Sequence, residues 1–439
     1  MSFVIALGTI NYNALGQAPG DKIPDRYIVA LKPGAAPQAV AARHGLAPDF
    51  VYNVAVKGFA GFIPPGQLKK LQADSQVASI VPDRIIAAIG KPSGGGGKPG
   101  GGGGGGGTTS QTVPAGVIRI GAAPGDVGYT GEGVGVAVVD TGLDFNHKDL
   151  KPLGSTSFTA YRGSAQDDNG HGTHVGGIIA ARNNSVDVVG VAPGATLYAV
   201  KVLDRRGSGS DSAVIAGLDW VLANAANVDS PIHVVNMSLG RTGTINDNSI
   251  LHAAIQKLVG ANICVVVAAG NDATKEVSQM VPAGYPEVLA IASTTAKKGT
   301  SNVSILIDQD TASYFTSDGA YDSATGIGVT ISAPGEDQEN IAYPYITSVG
   351  ILSTKLGGGT VRMSGTSMSA PHVTGVVALM WETIPFGFVL EPEDARAAIR
   401  SGANNINIVP YNSPTSTYSY DNEREGVVSA PGALSGVTK

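Results

Sequence analysis

From Ser93 to Ser110 the chain reads SGGGGKPGGGGGGGGTTS, and nothing in that stretch can enter a hydrophobic core. Glycine has no side chain to bury and loses the most backbone entropy on ordering, so the tract is a flexible tether between two folding units. A coil of this length averages roughly 20 to 25 Å end to end. Its ends can separate, yet each unit stays at high local concentration beside the other. A phosphate-cradling role fails, because a P-loop needs a strand before it and Gly-Lys-Ser/Thr opening a helix after it. The division expected is a leader over 1–23, a small domain over 24–89, the linker over 90–110 and a large domain over 111–439. The leader carries a short apolar patch with no basic residue ahead of it, so an atypical or clipped secretory signal and a disordered leader both stay open.

Before the tether, Arg26 to Leu31 alternates like a strand and APQAVAARHG has helical spacing that stops at Gly45. DFVYNVAVKGFAGFIP reads as a strand pair with a tight turn near Gly58, followed by a helix, PGQLKKLQAD, and a last strand, VASIVPD. The order β-α-β-β-α-β is that of a small ferredoxin-like α+β domain with two helices on one face. After the tether, VGVAVVD, TLYAVKVL, IHVVNMSLG, ICVVVAAGN and VLAIAS alternate with helical segments such as DSAVIAGLDWVLANAA. Near-continuous apolar runs are what strands buried on both faces require. The large domain is therefore expected to be α/β, a doubly wound parallel sheet whose ligands bind at the carboxyl ends of its strands.

Composition narrows the partners. With 439 residues, 43% of them hydrophobic, and a net charge of −6, the chain can build one large core and one small one. It lacks the clustered Lys and Arg that nucleic-acid binding needs, and no stretch approaches the ~18 apolar residues of a membrane span. Its single cysteine, Cys264, excludes an internal disulfide and reads as a small buried core residue.

The carboxyl edges carry unusual polar residues. Asp140 follows the apolar run of VAVVD, where a carboxylate is expensive to desolvate unless something bonds to it. His171 opens a Gly- and Ala-rich helix in NGHGTHVGGIIAA, Asn271 ends VVVAAGN, and Ser367 starts a helix in SGTSMSAPH. Pro371 is expected in that helix's first turn, where no N–H partner is lost. Singly, Asp140 and Ser367 read as turn or cap residues, and His171 with His174 as metal ligands lacking further ligands. Their conjunction asks for another account.

The stretches VAVVDTGLD, NGHGTHVGG, VNMSLG, VVAAGND and SGTSMSAPH, in that order, resemble the subtilisin family of serine proteases from about Gln111 to about Leu434. The resemblance implies Ser367 as nucleophile, His171 as general base, Asp140 as the group orienting the imidazole, and Asn271 as an oxyanion donor beside the Ser367 backbone N–H. It implies a peptide cleft edged by Gly207, Ser208 and Gly209 on one side and Ser238, Leu239 and Gly240 on the other, closed by Ala269 and Gly270. Main-chain pairing along such edges ignores side chains, so broad specificity follows. Met280 falls near the main specificity pocket. ARNNSVDVVGVAPG resembles the family's calcium loop, in which Arg182, Asn184, Val186 and Val188 join Gln111 and Asp149 around a structural Ca2+.

Two stretches, Lys297 to Asp310 and Glu336 to Thr347, are longer than the family's pattern, and Asp308, Asp310, Glu336 and Asp337 there are candidates for a second ion or for a solvated surface. The likeness also accounts for the tether. In the family a small inhibitor-type prodomain precedes the catalytic domain and fills the cleft with its own carboxyl end until cut away, a role that 24–89 and DRIIAAIGKPS fit. The bond expected to be cut is Ile89-Gly90, with a site in or just after the linker as the alternative. The reading is a secreted, monomeric, autoprocessing endopeptidase acting on proteins and inhibited by its own prodomain. A silent peptide-binding relative and a glycine-rich structural or cell-surface protein are the competing classes.

Overall fold

The computed structural model describes residues 18–89, 91–92, 111–152, 157–161, 163–299, 305–342, 345–403 and 425–437. Most of the leader, Gly90 and the glycine tract lie outside them. The small unit runs β1 (Lys22–Leu31), α1 (Pro37–Arg43), β2 (Phe50–Tyr52), β3 (Gly58–Phe62), α2 (Pro65–Gln72) and β4 (Val77–Ala88). Its antiparallel sheet has the order β4-β1-β3-β2. Alternation along β1 divides two cores. Val29 and Leu31 face the unit's own helices with Val40, Phe59 and Leu71, while Ile28 joins Tyr52, Ala60 and Ile86 on the opposite face. Gly58 is not at the hairpin turn but opens β3, because Val51 and Tyr52 pair with Phe59 and Gly58 and leave 53–57 as the loop. The first strand also starts two residues ahead of the expected boundary, since Lys22 still pairs with Arg84.

The chain resumes with β5 (Lys91–Pro92), α3 (Ala115–Arg119), β6 (Gly135–Asp140), β7 (Phe158–Thr159), α4 (His171–Ala180), β8 (Thr196–Lys201), β9 (Ser208–Ser210) and α5 (Asp211–Asn224). It continues through β10 (Ile232–Met237), β11 (Leu239–Thr242), α6 (Ser249–Val259), β12 (Cys264–Ala268), β13 (Met280–Val281), β14 (Leu289–Thr295) and β15 (Ile305–Leu306). Last come β16 (Ile331–Ala342), β17 (Tyr345–Thr354), β18 (Thr360–Ser364), α7 (Thr366–Glu382), α8 (Pro392–Ser401) and α9 (Ala430–Ser435). Seven strands, β7-β8-β6-β10-β12-β14-β16, form a parallel sheet. The sheet is wound on both faces, as period-2 alternation shows. Val136, Val138 and Val266 pack with α4 and α7 in one core, and Ala137, Val139 and Val267 with α5 and α6 in the other. Cys264 is fully buried, and burial pushes its thiol up to about 12.

Two features depart from the sequence expectation. Past β16 the sheet turns antiparallel through β17, β18 and β5, and β15 of the other long stretch pairs with β16; residues 300–304 and 343–344 of the two stretches lie outside the described residues. Pro371 sits in the second turn of α7, where its missing N–H would have bonded the Ser367 carbonyl. The Ser238 hydroxyl donates to that carbonyl instead, at 2.9 Å.

The two units dock through α5. Tyr52 donates its hydroxyl to Ser212 O at 2.9 Å, and Asp219 accepts the N–H groups of Val54 and Ala55 at 2.8 and 2.7 Å. Glycines set the closest approaches in the large unit. A Cβ on Gly172, in the first turn of α4, would lie 2.2 Å from the Gly142 carbonyl oxygen. Backbone cannot give as a side chain can, so Gly172→Ala is expected to destabilise the fold by about 1–3 kcal/mol. A lowered thermal unfolding midpoint is the expected result, and an unchanged one contradicts the packing.

Candidate active site

Three elements bring the polar residues together. Asp140 is the last residue of β6, His171 the first of α4, and Ser367 lies in the first turn of α7. All three are buried, at 0, 4 and 0% exposure. The Asp140 carboxylate accepts from His171 Nδ1 at 2.8 and 3.0 Å and from the Thr141 N–H at 2.7 Å. Burial alone disfavours the charged imidazole, but the charge and hydrogen bond of Asp140 outweigh it and hold the His171 pKa above its ordinary value. His171 Nε2 is buried without a partner among the described residues. Ser367 Oγ donates to Ser238 O at 3.0 Å.

The start of α4 is fixed by a residue that motif reading passed over. Asp167 accepts from the N–H groups of Gly170 and Thr173 and from the hydroxyls of Thr173 and Thr141, at 2.6 to 2.9 Å. It takes the Thr173 donor of the helix start, while Asn169 Oδ1 and Thr141 Oγ1 take the His171 and Gly172 N–H groups at 3.1 and 2.9 Å, and Gly170 takes φ +105, which only glycine adopts readily. An acidic residue four positions ahead of His171 was the available signal. His174, one turn on, is not a metal ligand. Its Nε2 faces Ile351 O and Val361 O at 3.0 and 3.2 Å, and burial lowers its pKa to about 3.

The cleft is occupied by the chain itself. β4 runs antiparallel to β9 on one side (Ile86 opposite Gly209, Ala87 opposite Ser208) and to β11 on the other (Ala88 opposite Leu239, Ala87 opposite Gly240). Ala88 N donates to Gly207 O at 2.9 Å, and Ile89 N to Ser238 O at 3.2 Å. Asn271 Nδ2 donates to Ile89 O at 3.0 Å. The Asn271 amide is held in that orientation because its Oδ1 accepts from the N–H and hydroxyl of Thr366, at 3.0 and 2.9 Å. No sequence signal marked Thr366 for this task, since its partner is 95 positions away. The Ile89 side chain lies over Gly240, where a Cβ would come within 2.6 Å of it. Met280 Sδ-bearing side chain packs against Gly270, the position where the cleft floor was expected. Beyond Ile89 the chain pairs again, Lys91 opposite Ser364 and Pro92 opposite Met363.

The six expected cation ligands also converge. Gln111 Nε2 lies 2.5 Å from Arg182 O and Val188 O, 3.0 Å from Val186 O and 3.5 Å from Asn184 Oδ1. Asp149 accepts from Val188 N at 3.0 Å through one oxygen, while the other is buried without a partner, and burial pushes its carboxyl up to about 6. A set of carbonyl, carboxamide and carboxylate oxygens with an orphaned carboxylate atom fits a hard cation. No group of three or more His, Cys, Asp or Glu among the described residues is placed to hold a metal. The four acids expected as a second ion site are dispersed. Asp308 pairs with Lys298, Asp310 with Arg119, Asp337 with Arg362, and Glu336 is buried against Ser348.

Comparisons with known proteins agree on the class. The subtilase family matches residues 131–427. Subtilisin E of Bacillus subtilis is 33% identical over 396 residues, covering 87% of this chain and 86% of that protein. A thermostable alkaline protease of Halalkalibacterium halodurans is 41% identical over 279 residues, and the match spans 63% of this chain and 64% of that protein's length. The crystal structure of fervidolysin from Fervidobacterium pennivorans, described as a keratinolytic enzyme related to subtilisin, shares the fold with a TM-score of 0.68 at 22% identity, over 96% of this chain and 62% of that one. The chain belongs to the subtilase family and is a subtilisin-like serine endopeptidase.

Asp140→Asn removes the charge that raises the His171 pKa and leaves the burial that lowers it. An NMR titration of the imidazole is expected to fall below its ordinary value in the variant. An unshifted titration contradicts the electrostatic account.

Proposed function

We propose that the chain is the precursor of a secreted, calcium-stabilised endopeptidase that cuts itself after Ile89 and remains inhibited by the severed segment until that segment leaves. The observation that carries this reading is the Ile89 carbonyl at the Asn271 amide, with β4 laid between β9 and β11 as a bound peptide would lie. The ferredoxin-like order of the small unit, packed on α5, supports its role as prodomain and folding aid.

In this reading Ser367 Oγ rotates from Ser238 O toward His171 Nε2, gives up its proton there and attacks the Ile89 carbonyl carbon. The developing oxyanion takes hydrogen bonds from Asn271 Nδ2 and the Ser367 N–H, at the positive end of α7. His171, with its charge stabilised by Asp140, then protonates the leaving amine, and water repeats the sequence on the acyl-enzyme. Substrate proteins bind as β4 does, through main-chain bonds to 207–209 and 238–240, which supports broad specificity. Secretion suits such a protease, whose own strand blocks its cleft until it has folded.

Gln111, Asp149, Arg182, Asn184, Val186 and Val188 would hold the calcium ion, which supplies charge to bind the 111 end to the loop and no step of the reaction. An ion bound only by the folded state stabilises by about 2.7 kcal/mol at one hundred times its dissociation constant. Calcium is therefore expected to raise the unfolding midpoint of the wild type, and Asp149→Asn to lose most of that rise. Equal shifts in both proteins contradict the assignment.

The catalytic assignment is tested with a fluorophosphonate probe on the processed protein. Labelling of Ser367, abolished by Ser367→Ala, is expected. A folded, processed protein that stays unlabelled sinks the reading and favours a silent peptide binder.

A further inference from the structure

Beyond Ile89 the chain pairs with β18, whose other edge pairs with β17 and, through it, with β16. A bulge in β16, where Glu336 stands opposite Gly350 but Gln338 opposite Val349, adds one residue to that strand. Residues three apart then share a face. Glu336 and Glu339 meet there, 0 and 1% exposed, each carboxyl close enough to act on the other. Burial first, and the neighbouring carboxyl second, push Glu336 well above the usual carboxylate range, and burial raises Glu339 as well. The Tyr314 N–H donates to Glu339 at 3.2 Å, and Glu336 Oε2 is left without a donor. Asp337, between them, is compensated by Arg362 and Lys297, whereas the pair has no basic partner among the described residues.

This pair is connected to the peptide strand. Glu336 accepts from Ser348 Oγ, which lies 3.0 Å from Ser364 Oγ. Ser364 is the residue opposite the second position after the Ile89 carbonyl. Directly opposed residues of an antiparallel ladder share a face, so a substrate's second residue past the cut bond projects on the Ser364 side.

We infer that Glu336 and Glu339 form an acidic subsite selecting a lysine or arginine at the second position after the cleaved bond, an inference that rests on the protease reading above. Two carboxyls buried together need either a shared proton or a cation, and a substrate ammonium or guanidinium displaces that proton to solvent while donating to the free Glu336 oxygen. The residue of this chain at that position is Lys91. Main-chain pairing stays tolerant elsewhere, and this one position discriminates by charge.

The test uses processed enzyme and three peptides, identical but for Lys, norleucine or Glu at that position, with Ile before the bond. Norleucine matches lysine's length without its charge. The expected kcat/KM favours Lys over norleucine by about tenfold, with Glu slowest. In the Glu336→Gln, Glu339→Gln double variant the Lys-to-norleucine ratio is expected to fall to within about twofold of unity. Equal wild-type rates for Lys and norleucine overturn the inference, as does a Lys preference that survives in the folded variant. The wild-type ratio decides alone if the variant does not fold. Failure to cut any of the peptides counts against the protease reading instead.

Discussion

Strand β4 belongs to two sheets at once, and the arrangement of both units follows from that. Its first half completes the small sheet beside β1, and its last residues lie between β9 and β11. Between β9 and β11 the last residues of β4 find main-chain partners, so their burial in the cleft costs little backbone solvation. Because the same covalent strand carries both pairings, docking of the small unit on α5 fixes the register in the cleft. A slip of one residue would turn Ile86 out of the shared core and lift Ile89 from Gly240. The position of one carbonyl at Asn271 is thus set by a hydrophobic interface some distance away.

Around that carbonyl the large unit holds its polar groups by satisfying their neighbours. Asp167, Asn169 and Thr141 together take up the first donors of α4 and so fix His171, Thr366 orients Asn271, and Ser238 takes the role that Pro371 leaves vacant in α7. Each device sits in a buried, low-dielectric place where an unpaired group is costly and a paired one is strong. Two groups with reactive tasks in the proposed mechanism are held more loosely. His171 Nε2 has no partner, and Ser367 Oγ is bonded to a carbonyl from which a χ1 rotation releases it.

Much of this is legible in the sequence. Near-continuous apolar runs mark the parallel sheet, and Asp140, His171, Asn271 and Ser367 stand out because each breaks an apolar pattern at a strand or helix end. Gly58, Pro371 and Glu336 were misplaced for physical reasons. A glycine signals a turn only when nothing pairs across it, a helix proline survives wherever another donor serves its carbonyl, and a bulge resets the alternation that assigns faces. Thr366 and Asp167 were silent in the sequence because their work is done by hydrogen bonds to residues or helix ends that only the fold brings near.

The measurement that bears most directly on the central claim is the intact mass of the purified full chain and of its Ser367→Ala variant after incubation with calcium. The account predicts that the wild type resolves into two fragments joined at Ile89-Gly90 before the cut, and that the variant stays whole. A wild type cut only within the glycine tract, or left intact although folded, would contradict it, because the carbonyl at Asn271 would then not be the one the enzyme attacks.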